Sequence, residues 1–139
     1  MPSSVEKILS DNDVGVTNSH QAGFLIPKRY IRKGFFEELP KNIRNPRISL
    51  EFKDVKYEKT FWLTLIFYNN KYSGGTRDEY RLTSLIAFVR EHRLRSGDKV
   101  LITKISTRKY EINTVKVGRV PAMLSKESWS VIYGEEPTV

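Results

Sequence analysis

Polar and apolar positions alternate most cleanly across residues 47–53. Ile48, Leu50 and Phe52 face one way there, and Arg47, Ser49, Glu51 and Lys53 the other. A period of two is the mark of a strand with one face buried. Residues 60–68 are apolar on both faces, so this strand is expected to cross the middle of a closed or nearly closed sheet, with Phe61, Trp62, Phe67 and Tyr68 mainly in the core. Residues 98–107 and 109–117 predict two further strands joined at a turn around Thr107. Residues 23–26 predict a short strand stopped by Pro27, and residues 76–82 an extended but very polar one. Two helices interrupt this series. After Pro27, Ile31, Phe35 and Leu39 recur at helical spacing and end before Pro40; after Ser84, Leu85, Phe88, Val89 and His92 form an apolar stripe that ends near Ser96 and Gly97. Many short strands with two helices predict a mainly β, barrel-like fold whose ends the helices close.

Two stretches supply almost nothing to such a core. Residues 9–23 run Leu-Ser-Asp-Asn-Asp-Val-Gly-Val-Thr-Asn-Ser-His-Gln-Ala-Gly, and residues 69–81 run Asn-Asn-Lys-Tyr-Ser-Gly-Gly-Thr-Arg-Asp-Glu-Tyr-Arg. Polar surface loops are common. These two are nonetheless rich in Asp, Asn, His, Gln, Arg and Glu, the side chains that pair with base edges in a major groove.

Charge points the same way. The 139 residues carry 24 Lys and Arg against 16 Asp and Glu, for a formal charge of +8 and a pI near 9.7. Such a balance favours a polyanionic partner. The run Lys28, Arg29, Arg32, Lys33, Lys41, Arg44 and Arg47 faces only Glu37 and Glu38. A solvated face explains most of it, and Lys28, Arg32 and Lys33, next to the first polar stretch, are the candidates for phosphate contact. The absence of cysteine excludes disulfides, thiolate-bound zinc, iron–sulfur clusters and thiol catalysis. With His20 and His92 the only histidines, a histidine-rich metal site is excluded too. No apolar run reaches the roughly 18 residues of a membrane span, and no signal-peptide pattern opens the chain. A single intracellular domain is expected, without membrane, cofactor, metal or small-molecule substrate.

Enzymatic chemistry finds little support. Glu51-Phe52-Lys53 spells half of a metal-dependent nuclease motif, but strand alternation already accounts for it and no Pro-Asp precedes it at a suitable distance. Gly74-Gly75 is followed by Thr76-Arg77 rather than by a phosphate-loop lysine, and no Gly-x-Ser-x-Gly elbow occurs. His92 lies on the apolar side of the second helix near its C-terminus, where a cap or dipole contact is the ordinary role. His20 lies in the polar stretch, where a structural and a ligand-facing role are balanced.

The first stretch, Asn12-Asp13-x-Gly15-x-Thr17-x-x-His20-Gln21-x-Gly23-x-x-Ile26-Pro27, resembles the start of the N-terminal DNA-binding effector domain of EcoRII-type restriction endonucleases. The second, Tyr68-Asn69 and then Gly74-x-Thr76-Arg77-x-Glu79-x-Arg81-x-Thr83, resembles the other arm of that domain. Residues 88–98 are similar to the helix and Gly-Asp passage of the plant B-three DNA-binding family. The resemblance covers residues 9–107. It implies a seven-stranded open β-barrel, a pseudobarrel with two short helices at its ends, whose two arms grip the major groove of double-stranded DNA at CC(A/T)GG or a close relative. It implies base reading by Asp13, His20, Arg77 and Glu79, and backbone contact or arm support by Thr17, Gln21, Lys71, Thr76 and Arg81. A guanidinium suits guanine O6 and N7, and a carboxylate accepts from cytosine N4. Gly75 stands where a family member has lysine and Leu25 where it has an aromatic, so the target is expected to differ by a base or to be read less strictly.

The expected function is therefore non-catalytic, sequence-specific duplex binding. Residues 1–139 form one domain on this reading, with 125–139 as a linker toward a covalently attached nuclease domain of a prokaryotic cytoplasmic enzyme. Two alternatives stand beside it: a barrel binding RNA or single strands by aromatic stacking, and a small metal-dependent nuclease using Glu51 and Lys53.

Overall fold

A computed structural model describes residues 3–15, 23–117 and 128–135. Its described elements run β1 (Ser4–Ile8), β2 (Phe24–Ile26), α1 (Lys28–Arg32), β3 (Arg47–Asp54), β4 (Lys59–Tyr68), a 3-10 turn (Asn70–Ser73), β5 (Glu79–Thr83), α2 (Ile86–Glu91), β6 (Lys99–Ser106), β7 (Lys109–Val115) and β8 (Trp129–Tyr133). The strands form one sheet in the order β2-β5-β4-β3-β7-β6-β1-β8. Neighbours are antiparallel except β3 and β7, which run parallel. The sheet curls until its two edges meet. Trp129 of β8 donates its indole N–H to the Leu25 carbonyl of β2 at 2.9 Å, and its ring meets Phe24 edge-on at 6.3 Å. This is the expected mainly β half-barrel, with eight described strands rather than seven.

Alternation sets the register. Leu50 lies opposite Leu63 and Phe52 opposite Phe61, so the inward faces of β3 and β4 coincide. Inside, Phe52 stacks on Tyr110 at 4.8 Å, and Phe35, Phe36, Tyr30 and Trp129 complete an aromatic cluster. The Tyr110 hydroxyl donates to the Phe35 carbonyl, and the Tyr80 hydroxyl accepts from the Leu39 amide at 3.0 Å. Buried phenols need such partners, and these two fasten residues 35–39 to the sheet. Burial drives both phenol pKa values up.

Five expectations are corrected. The first helix stops at Arg32 instead of reaching Leu39. Gly34 adopts φ 80°, and the amides of Phe35 and Phe36 both turn back to the Tyr30 carbonyl, so the two rings enter the core from a tight turn. The second helix ends at Glu91, because Arg93 takes a left-handed φ of 50°. Trp62, expected in the core, is 61% exposed; β4 does have one face outward, and only Leu63, Leu65, Ile66 and Phe67 of its apolar run are buried. Residues 129–133, expected within a linker, are β8, and Trp129 is a core residue. His92 is structural, held by Asp54 of β3 (Nε2 to Oδ2, 2.5 Å) and stacked on Tyr57, instead of capping its own helix.

Candidate nucleic-acid interface

Residues 9–23 lead from β1, next to one edge of the sheet, to β2 at the other edge, and residues 69–78 lead from β4 to β5, which neighbours β2. Since β2 pairs with β5, the far ends of both arms are rooted side by side, with Leu25 opposite Arg81. Gly23 sits at that junction; a Cβ there would lie 2.8 Å from the Leu82 carbonyl oxygen, so only glycine lets the chain enter so closely.

The second arm is built on two adjacent asparagines. Asn69 and Asn45 exchange reciprocal amide-to-carboxamide bonds of 2.9 and 3.2 Å, and the Asn69 side-chain amide donates to the carbonyls of Pro40, Lys41 and Ile43. Asn70 then shapes the arm itself. Its backbone carbonyl accepts from the Gly75 amide at 2.7 Å, and its side-chain Oδ1 accepts from the Arg77 amide at 2.6 Å. Gly74 turns the chain at φ 100°, and a Cβ on Gly75 would fall 2.5 Å from Asn70 Cγ.

Beyond this turn, strand alternation sorts the charges. Glu79 and Arg81 share the face of β5 away from the core, while Tyr80 and Leu82 point inward, and Arg77, two residues before the strand, lies beside Glu79. Arg77 Nη2 donates to Glu79 Oε1 at 2.6 Å, and Arg81 Nε donates to the same oxygen at 3.3 Å. Burial pushes the Glu79 carboxyl up, but the hydrogen bond from Arg77 and the charge of Arg81 outweigh it and hold the group below its ordinary value. Arg81 also reaches the Gly23 carbonyl at 3.4 Å, tying the roots of the two arms together. The Arg77 guanidinium carbon lies over the Tyr68 ring, 3.8 Å from its centroid.

Asp78 turns to the other side. Lys28 of α1 approaches its Oδ2 at 2.5 Å and Lys71 at 3.4 Å, so both candidate cations are already paired, and they keep the Asp78 carboxyl below its ordinary value. Its Oδ1 is buried and unpartnered among the described residues. An open pocket of about 280 Å³ beside it is lined by Lys28, Arg32, Lys41 and Tyr72. Arg32, Lys33 and Thr76 are exposed, and none of the three makes an ion pair among the described residues.

Asp13 is buried, with Oδ2 accepting from the Ser10 amide at 2.8 Å and meeting Lys7 Nζ at 2.9 Å. Its carboxylate is thus committed to folding the turn that ends at Gly15, where φ is 81°. Thr17, His20 and Gln21 lie outside the described residues. Sequence reasoning had passed over Asn45, Asn70 and Asp78. The Asn69-Asn70 pair carries a signal, since asparagine side chains satisfy backbone groups in turns.

The arrangement thus has a polar connection between β4 and β5, at the edge of a curled half-barrel, that presents a guanidinium–carboxylate–guanidinium row. Solved structures share this architecture. The Arabidopsis FUS3–DNA complex matches at 20% identity, covering 80% of this chain and 94% of that one, with a TM-score of 0.60. The B3 domain of the UbaLAI restriction endonuclease with cognate DNA matches at 18% identity over 93% of this chain and 85% of that one, TM-score 0.61. The N-terminal domain of Helicobacter pylori LlaJI.R1 matches at 14% identity over 96% and 99%, TM-score 0.58. These likenesses define the class as a B3-type pseudobarrel. Residues 4–91, which include both arms, match the family described as restriction endonuclease EcoRII, N-terminal, and the chain belongs to that family. No individual curated protein matches the chain.

Proposed function

We propose that this chain is the sequence-reading domain of a restriction enzyme and that it binds double-stranded DNA through its two arms without catalysing a reaction. The observation that carries this reading is the family match over residues 4–91, which contains the outward row Arg77, Glu79 and Arg81. Two of the structural neighbours are DNA complexes, one of them a restriction endonuclease domain with its cognate duplex.

The residues divide by task. Arg77 reads guanine O6 and N7 with the guanidinium edge that Glu79 leaves open. Glu79 reads cytosine N4 with Oε2, which no described residue occupies. Arg81 steadies Glu79 and joins the arm roots. Arg32, Lys33 and Thr76, with Lys28 and Lys71 once they exchange Asp78 for phosphate, supply backbone contacts that position the arms. His20 reads from the first arm with Thr17 and Gln21 as support, and Asp13 holds that arm in place through Lys7 and Ser10 instead of touching a base. The target is CC(A/T)GG or a close relative, and the cutting activity belongs to a nuclease domain of the same enzyme, acting in the bacterial cytoplasm.

Fluorescence anisotropy tests this with short duplexes in about 100 mM salt and EDTA. A duplex carrying CC(A/T)GG should bind about a hundredfold or more tighter than one with the same bases shuffled. Equal binding would overturn the target. Competition by single-stranded DNA as effective as by duplex would overturn the duplex reading itself.

A further inference from the structure

We infer that Tyr68 is a specificity-positioning residue, fixing the plane of the Arg77 guanidinium before DNA arrives. The inference rests on Arg77 being a base reader. Tyr68 is the last residue of β4, and the ladder places it directly opposite Glu79 of β5. Cross-strand partners share a face, so Tyr68 and Glu79 stand together on the outward side. Arg77 is then restrained at three points. Asn70 holds its amide, Glu79 takes Nη2 at 2.6 Å, and the Tyr68 ring lies under the guanidinium, its centroid 3.8 Å from the guanidinium carbon.

Each restraint removes a different freedom. Asn70 fixes where the side chain starts, and Glu79 fixes one edge but allows rotation about the shared hydrogen bond. Only a flat surface can set the plane, and an aromatic face attracts a guanidinium by both stacking and charge. A forked contact to guanine needs that plane to coincide with the base plane. A guanidinium ordered in advance loses less entropy on binding. A non-cognate base pair, offering no matching pair of acceptors, gains nothing from the ordering, so the ring contributes to discrimination more than to general affinity.

Tyr68→Phe keeps the face and should retain discrimination between matched and shuffled duplexes. Tyr68→Ile suits a strand but removes the ring, and should cut discrimination about tenfold while leaving binding to the shuffled duplex unchanged. Combining it with Arg77→Ala should cost nothing further, because Tyr68 acts only through that guanidinium. If Arg77→Ala abolishes discrimination but Tyr68→Ile does not, or if the two losses add, the role of Tyr68 is overturned while base reading by Arg77 survives. If Arg77→Ala leaves discrimination intact, the base-reading assignment itself has failed. A DNA-free readout guards against misfolding of the isoleucine variant. In the wild-type protein, the Arg77 side-chain Nε–H resonance should carry a ring-current shift that the Phe variant keeps, and its absence would overturn the contact.

Discussion

Arg77 lies two residues before β5 and Glu79 opens that strand, with guanidinium Nη2 and carboxylate Oε1 2.6 Å apart. Each member retains hydrogen-bonding capacity that the other does not use, which on the proposed reading would be offered to a G·C edge. The pair also suppresses wrong choices. Separating the two charges without compensating base contacts leaves both under-satisfied, and that cost falls on every non-cognate site.

Arg77→Ala and Glu79→Gln should each lose about 1–3 kcal/mol of binding at the matched site. Neither should weaken binding to shuffled DNA. A double-mutant cycle should show coupling, since the residues share a hydrogen bond and adjacent bases. Strictly additive losses, or an equal loss on shuffled DNA, would remove the pair from base reading.

Much of this was legible from residue order alone. The alternation of residues 47–53 and the polar character of residues 9–23 and 69–81 lead directly to β3 and to the two arms. β1 escaped notice because Lys7 occupies an inward position between Val5 and Leu9. Its ammonium is satisfied there by Asp13 and by Ser128, 2.8 Å from its hydroxyl, and it lies over the Trp129 ring. Only the tertiary fold brings those partners together. The Lys7 partner of Asp13 was hidden for the same reason, since a carboxylate in a polar loop looks available until the lysine that neutralises it is placed. β8 was hidden by its short, mostly exposed sequence, whose one strong core residue is Trp129.

Gly75 departs from the lysine of its relative, and the packing against Asn70 explains why a side chain is excluded here. A methyl group at Gly75 would require Asn70 Cγ to move from 2.5 Å, and Asn70 Oδ1 cannot follow without releasing the Arg77 amide. Gly75→Ala should therefore weaken matched-site binding several-fold, a loss of about 1 kcal/mol, typical of one broken hydrogen bond. The melting temperature should change little, because the arm lies outside the core. Unchanged discrimination in Gly75→Ala would show that the arm tolerates a displaced Asn70.

Arg32 and Lys33 differ from Lys28 and Lys71 in being exposed without a carboxylate partner among the described residues. Replacing either with alanine should weaken matched and shuffled duplexes alike and lower the slope of log affinity against log salt by about one unit. Lys28→Ala should have a smaller effect on that slope, since Asp78 already neutralises the ammonium in the free protein. A change in discrimination instead of slope would move these residues from the backbone to the bases.

Acid should reveal which carboxylates hold the fold. Asp98 is buried at the exit from the α2 region, where Oδ2 accepts from the Arg95 amide at 2.9 Å and from Lys116 at 2.6 Å, and Oδ1 accepts from the Val117 amide at 3.0 Å. Burial pushes its pKa up, but the Lys116 hydrogen bond and the two amides outweigh that and leave it below the ordinary 3.8. A carboxyl with a folded pKa below its unfolded value stabilises the fold above the unfolded value. That contribution disappears as pH falls through the folded pKa. Asp98→Asn should cost about 1–3 kcal/mol in urea unfolding at pH 7, and the gap to wild type should close at pH values below the ordinary carboxylate range, where Asp98 itself is protonated. DNA discrimination at pH 7 should be unaffected, because the Asp98 carboxylate holds Arg95, Lys116 and Val117 and no described side chain of the arms. A gap that is the same at neutral and acid pH would mean that shape at this site, and not the charge of Asp98, holds β7 to the turn after α2.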